Sequence, residues 1–118
     1  MSSTSQADLE ALARTVGALL QSNGQTLSTA ESCTGGWVAQ CLTAIPGSSQ
    51  WFDRGFVTYS NAAKQEMLGV SATTLETQGA VSEATAAEMA LGALSHSQSD
   101  WSLAITGIAG PDGGNADK

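Results

Sequence analysis

The sequence predicts an α/β layered domain, and three observations predict it. Short β-prone segments alternate with segments of helical periodicity along the whole chain. Glycine-bearing turns follow two of the β-prone segments, at 31–36 and at 106–114. The 118 residues, 42% of them hydrophobic, make one domain able to bury most of the surface it exposes when unfolded.

The elements follow in order. Residues 1–6 are polar and read as a frayed end. Leu9, Leu12, Val16, Leu19 and Leu20 recur at helical spacing, and Asn23-Gly24 stops that helix. Thr26 to Ala30 is short and β-prone, and reads as a strand; Glu31 to Gly36 reads as a tight turn. A second helix carries Trp37, Val38, Cys41, Leu42 and Ile45 on one face, and Pro46-Gly47 ends it. Trp51 to Thr58 reads as a strand, bent at Gly55. Asn61 is placed to cap a short helix running to Leu68, with Gly69 ending it. Ser71 is placed to cap the next helix, Val70 and Leu75 stapling it, and Gly79 closes it. Ser82 is placed to cap an alanine-rich helix over about 83–94. A polar loop at 95–100 leads to a third strand, Trp101 to Ile105. The chain then runs into a glycine-rich loop, so it is expected to lack a further strand and helix. No internal repeat or linker divides it.

Composition narrows the chemistry. Eleven Asp plus Glu face four Lys plus Arg, a net charge of -7, and such a surface repels polyanions. Nucleic acid is set aside on that ground, and solubility is a sufficient reason for the charge. No apolar run approaches the ~18 residues of a membrane span, and no basic-then-apolar start marks a signal peptide. A soluble, cytoplasmic protein is the expectation. Cys33 and Cys41 are too few for a disulfide framework and read as reduced thiols. No metal site is expected, because no histidine accompanies them.

The basic side chains are Arg14, Arg54, Lys64, His96 and Lys118. If this is an enzyme, its proton acceptor comes from that short set. In open α/β sheets, ligands bind at the carboxyl ends of the strands, which points to the two glycine turns. The first opens a helix, whose free N–H groups favour an anion or a developing oxyanion. The second has glycine at 107, 110, 113 and 114, and its N–H groups could converge on a phosphate. Neither turn matches the Walker or the dinucleotide pattern. Ser32, at a strand end and a helix start, suits a nucleophile, yet Ser32 or Thr34 would equally serve as a helix cap. Cys33 is a rival nucleophile at the same place. His96, between two serines in a polar loop, is a poor triad member. Lys64 follows the strand-end segment Thr58-Tyr59-Ser60-Asn61; it acts as a base only if its pKa falls from about 10.4. An exposed helix lysine is the plainer alternative. Tyr59 nearby could relay the proton or orient the amine.

Four segments carry a resemblance. Ala30-Glu31-Ser32-Cys33-Thr34-Gly35-Gly36 resembles the signature of the CinA C-terminal domain family, which includes nicotinamide-nucleotide amidohydrolases. Gly55-Phe56-Val57-Thr58-Tyr59-Ser60-Asn61 with Lys64, then Gly79-Ala80-Val81-Ser82, then Thr106 to Gly114 agree with it in order and spacing. The resemblance covers the chain from the first helix onward, so 1–118 is expected to be one domain of the stand-alone kind. It implies a three-layer α/β/α sandwich around a mixed sheet. It implies hydrolysis of nicotinamide mononucleotide to nicotinate mononucleotide and ammonia in NAD recycling, with no metal and no cofactor. Carried onto this chain, Ser32 is the nucleophile, Lys64 its base and Tyr59 the third member. Thr34, Gly35 and Gly36 are expected at the substrate, as are Asn61, Thr106, Gly107 and Gly110. The partner expected is the small-molecule substrate, with no nucleic acid and no membrane, in a homodimer. Family members continue past the Gly-Pro-Asp-Gly-Gly loop, which is where this chain departs from them. Two other readings are weighed: a nucleotide-binding module without turnover, and an amidase whose nucleophile is Cys33.

Overall fold

The computed structural model describes residues 5–108. Among them lie α1 (Gln6–Ser22), β1 (Leu27–Glu31), α2 (Trp37–Thr43), β2 (Phe52–Val57), α3 (Asn61–Leu68), α4 (Ala72–Gln78), α5 (Glu83–Ser95) and β3 (Trp101–Ile105). A single 3-10 turn, Ser48–Gln50, precedes β2. The strands form one sheet in the order β2-β1-β3, and both pairings are parallel. The mixed sheet implied by the resemblance is therefore parallel throughout the described residues.

Parallel strands need crossover connections, and these are right-handed almost without exception. The crossover from β1 to β2 runs one way along the sheet, and that from β2 to β3 runs back past β1. Their helices must then cover opposite faces. The two cores obey this. One joins Ala13 and Leu20 of α1, Leu42 of α2, Ile45, Trp51 and Leu27. The other joins Leu68 of α3, Val70, Leu75 of α4, Met89 and Ala93 of α5, and Ala30. Leu27 and Ala30 belong to the same strand, so β1 is sandwiched, and all five of its residues are buried. Each large apolar side chain held this way contributes roughly 1.5–3 kcal/mol.

Four helices open on a serine in extended conformation. The hydroxyls of Ser5, Ser60, Ser71 and Ser82 accept from backbone N–H groups of the first turn of α1, α3, α4 and α5. Ser5 and Asp8 form a reciprocal capping box, so residues 5 and 6, expected to fray, start α1. Asn61, expected as a cap, is instead the first helical residue after Ser60. The β2 bend also moves. Leu27 pairs with Phe52 and Ser28 with Arg54, which leaves Asp53 as the extra residue. At Gly55 the glycine serves close approach, since a Cβ there would lie 2.8 Å from Thr29 Oγ1. α2 ends at Thr43, short of Ile45.

Helix α3, which carries Lys64, rests on α5 at a glycine. A Cβ at Gly92 would fall on the Leu68 carbonyl, inside van der Waals contact. Gly92→Ala is expected to lower stability by about 1–3 kcal/mol despite alanine's better helix propensity. Thermal unfolding followed by circular dichroism tests this; an unchanged or raised Tm would mean that α3 moves away without cost.

Candidate active site

The carboxyl ends of all three strands open into one crevice of about 330 Å³. Ser32 and Cys33 follow β1, Tyr59 and Asn61 follow β2, and Thr106, Gly107 and Ile108 follow β3; Lys64 and Ala80 complete the lining. A larger hollow of about 420 Å³ lies between α1, α2 and β3. Its walls, including Leu9, Leu12, Val16, Trp37, Val38 and Leu103, are almost wholly apolar. Reactive side chains gather in the smaller crevice.

Lys64 sits one turn into α3, and helical side chains lean toward the N-terminus. Its side chain accordingly runs back toward the end of β2. Nζ donates to the carbonyls of Thr58 at 3.0 Å and Tyr59 at 3.2 Å, and lies 3.0 Å from Ser32 Oγ. The residue is only 1% exposed, which removes the reading of a solvated helix lysine. Loss of hydration lowers its pKa from the usual 10.5, and the Cys33 sulfur beside it pulls weakly the other way. Carbonyl oxygens can only accept, so they claim two N–H bonds of the amine. In the neutral amine the remaining position is a lone pair, and it faces Ser32 Oγ. A neutral amine so held can accept the proton of that hydroxyl.

Ser32 is fixed from both sides. Its N–H donates to the Ile105 carbonyl at 3.0 Å, extending the β1–β3 ladder by one residue. Its Oγ has the Tyr59 carbonyl at 3.5 Å besides Lys64. Tyr59 thus meets the pair through its backbone. Its side chain is 71% exposed at the crevice wall, and its phenol makes no hydrogen bond among the described residues. Thr106 lines the crevice while its hydroxyl donates to the Ala80 carbonyl at 2.8 Å. Gly107 packs against Cys33, whose Sγ would be 3.3 Å from an added Cβ. Gly110 lies outside the described residues. His96 caps the end of α5 with its ring on the Gly92 carbonyl, away from the crevice.

The turn 31–36 departs from expectation. The helix that this turn opens, α2, does not offer free N–H groups to a ligand at its N-terminus, because the Glu31 carboxylate already occupies it. Glu31 is 1% exposed and accepts from the N–H groups of Gly36 at 3.2 Å, Val38 at 3.0 Å and Ala39 at 2.9 Å. It also accepts from Thr34 Oγ1 at 2.6 Å. Thr34 Oγ1 and Gly36 N–H donate to Glu31, Gly35 N–H donates to the Ser32 carbonyl, and none of the three is among the residues that line the crevice. The N–H groups of Cys33 and Thr34 have no acceptor among the described residues. Sequence reasoning gave Glu31 no role; a lone acidic residue closing an otherwise uncharged strand was the available signal.

The comparisons with known proteins agree with this architecture. The family model of the CinA C-terminal domain matches residues 9–118. The chain is 56% identical over 111 residues to nicotinamide-nucleotide amidohydrolase PncC of Escherichia coli strain K12, covering 94% of this chain and 67% of that protein. It is 54% identical over 112 residues to a CinA-like protein of Synechococcus, covering 95% of this chain but 27% of the relative. The crystal structure of the competence/damage inducible protein CihA from Agrobacterium tumefaciens superposes with a TM-score of 0.93 at 54% identity, covering all of this chain and 71% of that one. This chain belongs to the CinA C-terminal domain family.

Proposed function

We propose that the chain is an amidohydrolase acting on nicotinamide nucleotides, with nicotinamide mononucleotide as substrate and nicotinate mononucleotide and ammonia as products. Its place is the recycling of NAD. Relatives named for that activity at 56% identity support the reaction class. The observation that carries the mechanism is Lys64 Nζ, 3.0 Å from Ser32 Oγ with two carbonyls holding its other bonds.

The steps follow from that geometry. Neutral Lys64 takes the hydroxyl proton as Ser32 Oγ attacks the carboxamide carbon, made electrophilic by the pyridinium ring. The Cys33 N–H, next to the nucleophile and without another acceptor among the described residues, is placed to stabilise the oxyanion. The tetrahedral species collapses with cleavage of the C–N bond, and Lys64 returns its proton to the departing nitrogen, which leaves as ammonia. Water then attacks the acyl ester with Lys64 again as base. Cleavage of the ester C–O bond frees nicotinate mononucleotide and restores Ser32. The Tyr59 carbonyl orients the amine, and Asn61, Thr106 and Gly107 contact the nucleotide. Cys33 lines the same crevice, but the amine is bonded to Ser32, which favours serine as nucleophile.

Ammonia release from nicotinamide mononucleotide is the direct test. Ser32→Ala and Lys64→Ala are each expected to lower kcat by about 10³-fold or more; activity surviving in Lys64→Ala would remove the dyad. Activity lost on Cys33 alkylation yet kept in Ser32→Ala would transfer the role to the thiol.

The lowered Lys64 pKa also has a pH signature. kcat/KM should rise with pH along a limb centred below 10.5, because only the neutral amine accepts the proton. Stability should rise across the same window. The folded chain sheds the Lys64 proton earlier than the unfolded one, so the penalty for burying the ammonium is full below the folded pKa and vanishes toward 10.5. Urea unfolding at stepped pH should show a steeper rise for the wild type than for Lys64→Met; identical slopes would contradict a buried, titrating Lys64.

A further inference from the structure

We propose that Glu31 is a positioning residue for Ser32, its carboxylate holding the nucleophile turn in register with Lys64; this rests on the reading of Ser32 as nucleophile. Gly35 and Gly36 have φ of 60° and 103°, in the left-handed region that serine, threonine and aspartate seldom adopt. Gly36 is the N-cap position of α2 and brings no side chain to cap it. The other four helices solve the same problem with a serine at that position. α2 is therefore capped from a distance, by a carboxylate five residues upstream.

Burying that carboxylate is costly unless its oxygens are satisfied. Here they receive three backbone N–H groups and the Thr34 hydroxyl, and no cation pairs with Glu31 among the described residues. A serine placed elsewhere could not span from the end of β1 to the first turn of α2. The carboxylate does, and in doing so ties both ends of the segment containing Ser32 and Cys33. On the near side Ser32 N–H is held by Ile105, and on the far side Gly36, Val38 and Ala39 are held by Glu31. The direction of the Ser32 Cα–Cβ bond, and of the Cys33 N–H, follows from those two anchors.

Side chains of successive strand residues point to opposite faces. Glu31 bonds toward α2, whereas Ser32 meets Lys64 of α3. Glu31 therefore acts on the dyad through the backbone and not as a counter-charge to the amine. This gives it a signature different from a proton-transfer group. Loss of the anchor should slow attack without moving the pH at which activity rises.

The test compares wild type with Glu31→Gln, which keeps size but replaces one acceptor oxygen by an NH₂ donor. Two rates are measured: turnover of nicotinamide mononucleotide, and covalent modification of Ser32 by a fluorophosphonate, with the final extent of labelling counting competent chains. Expected for Glu31→Gln is a fall of between about 10- and 100-fold in kcat and in labelling rate per competent chain. KM and the midpoint of the pH profile should stay near those of the wild type. Should Glu31→Gln fail to fold, Thr34→Val removes only one bond to Glu31 and should produce a smaller fall of the same kind. A labelling rate per competent chain equal to wild type in the folded variant overturns the proposal, leaving Glu31 a stabilising cap only. A wild type that labels but releases no ammonia overturns the proposed reaction while the Glu31 comparison still decides this inference. A wild type that neither labels nor turns over overturns both.

Discussion

A primary amine withdrawn from water must find all of its hydrogen-bond partners within the protein, and much of this molecule is arranged around meeting that demand for Lys64. Two carbonyls where the chain leaves β2, those of Thr58 and Tyr59, and one hydroxyl at the end of β1 surround Nζ. Each depends on the fold. The carbonyls are aimed by the turn from β2 into α3, the hydroxyl by a β1–β3 ladder that continues to Ser32. α3 is in turn seated on α5 at Gly92. Displacing any of these leaves a buried polar group unpaired, which costs more than a typical hydrogen bond contributes. Hydration lost on burial also lowers the amine's pKa, and that makes a lysine usable as a base.

The sheet divides two demands between its faces. Toward α1 and α2 the end of β1 presents Glu31, a charge fully satisfied by N–H and O–H donors. Toward α3 it presents Ser32, whose hydroxyl meets the amine. Neighbouring residues of one strand thus carry an anchored carboxylate and the proposed nucleophile, kept apart by the pleat. Crossovers that run in opposite directions along the sheet place helices on both faces and gather three strand ends at one crevice. The apolar hollow on the α1–α2 side is larger, but it brings no such convergence of polar groups.

Local signals were legible where a short stretch of chain settles the outcome. Ser71 and Ser82 cap the helices assigned to them, and Gly69 and Gly79 close theirs. Signals went astray where two local solutions compete. Ser60 and Asn61 are both good cap residues, and it is the Ser60 hydroxyl that accepts from the Ala63 N–H. The bend assigned to Gly55 belongs to Asp53, because strand register answers to the partner strand and not to glycine content. Thr34 and Gly36 sit in a turn that reads as ligand-binding, yet they are bonded to a carboxylate whose burial no periodicity reveals.

By itself the sequence determined the class of fold, the order of its elements, the glycine-bearing turn that follows β1, and a set of basic side chains so short that Lys64 stood out. Those follow from propensity, periodicity and composition, each a property of residues near one another in the chain. Only the tertiary structure decided that Lys64 is buried and meets Ser32 across a separation of 32 residues. It also decided that Tyr59 reaches the pair through its carbonyl, and that Glu31 takes the N-terminus of α2. Burial and convergence depend on how crossovers stack helices on the sheet, and contacts between distant segments leave no trace in local sequence pattern.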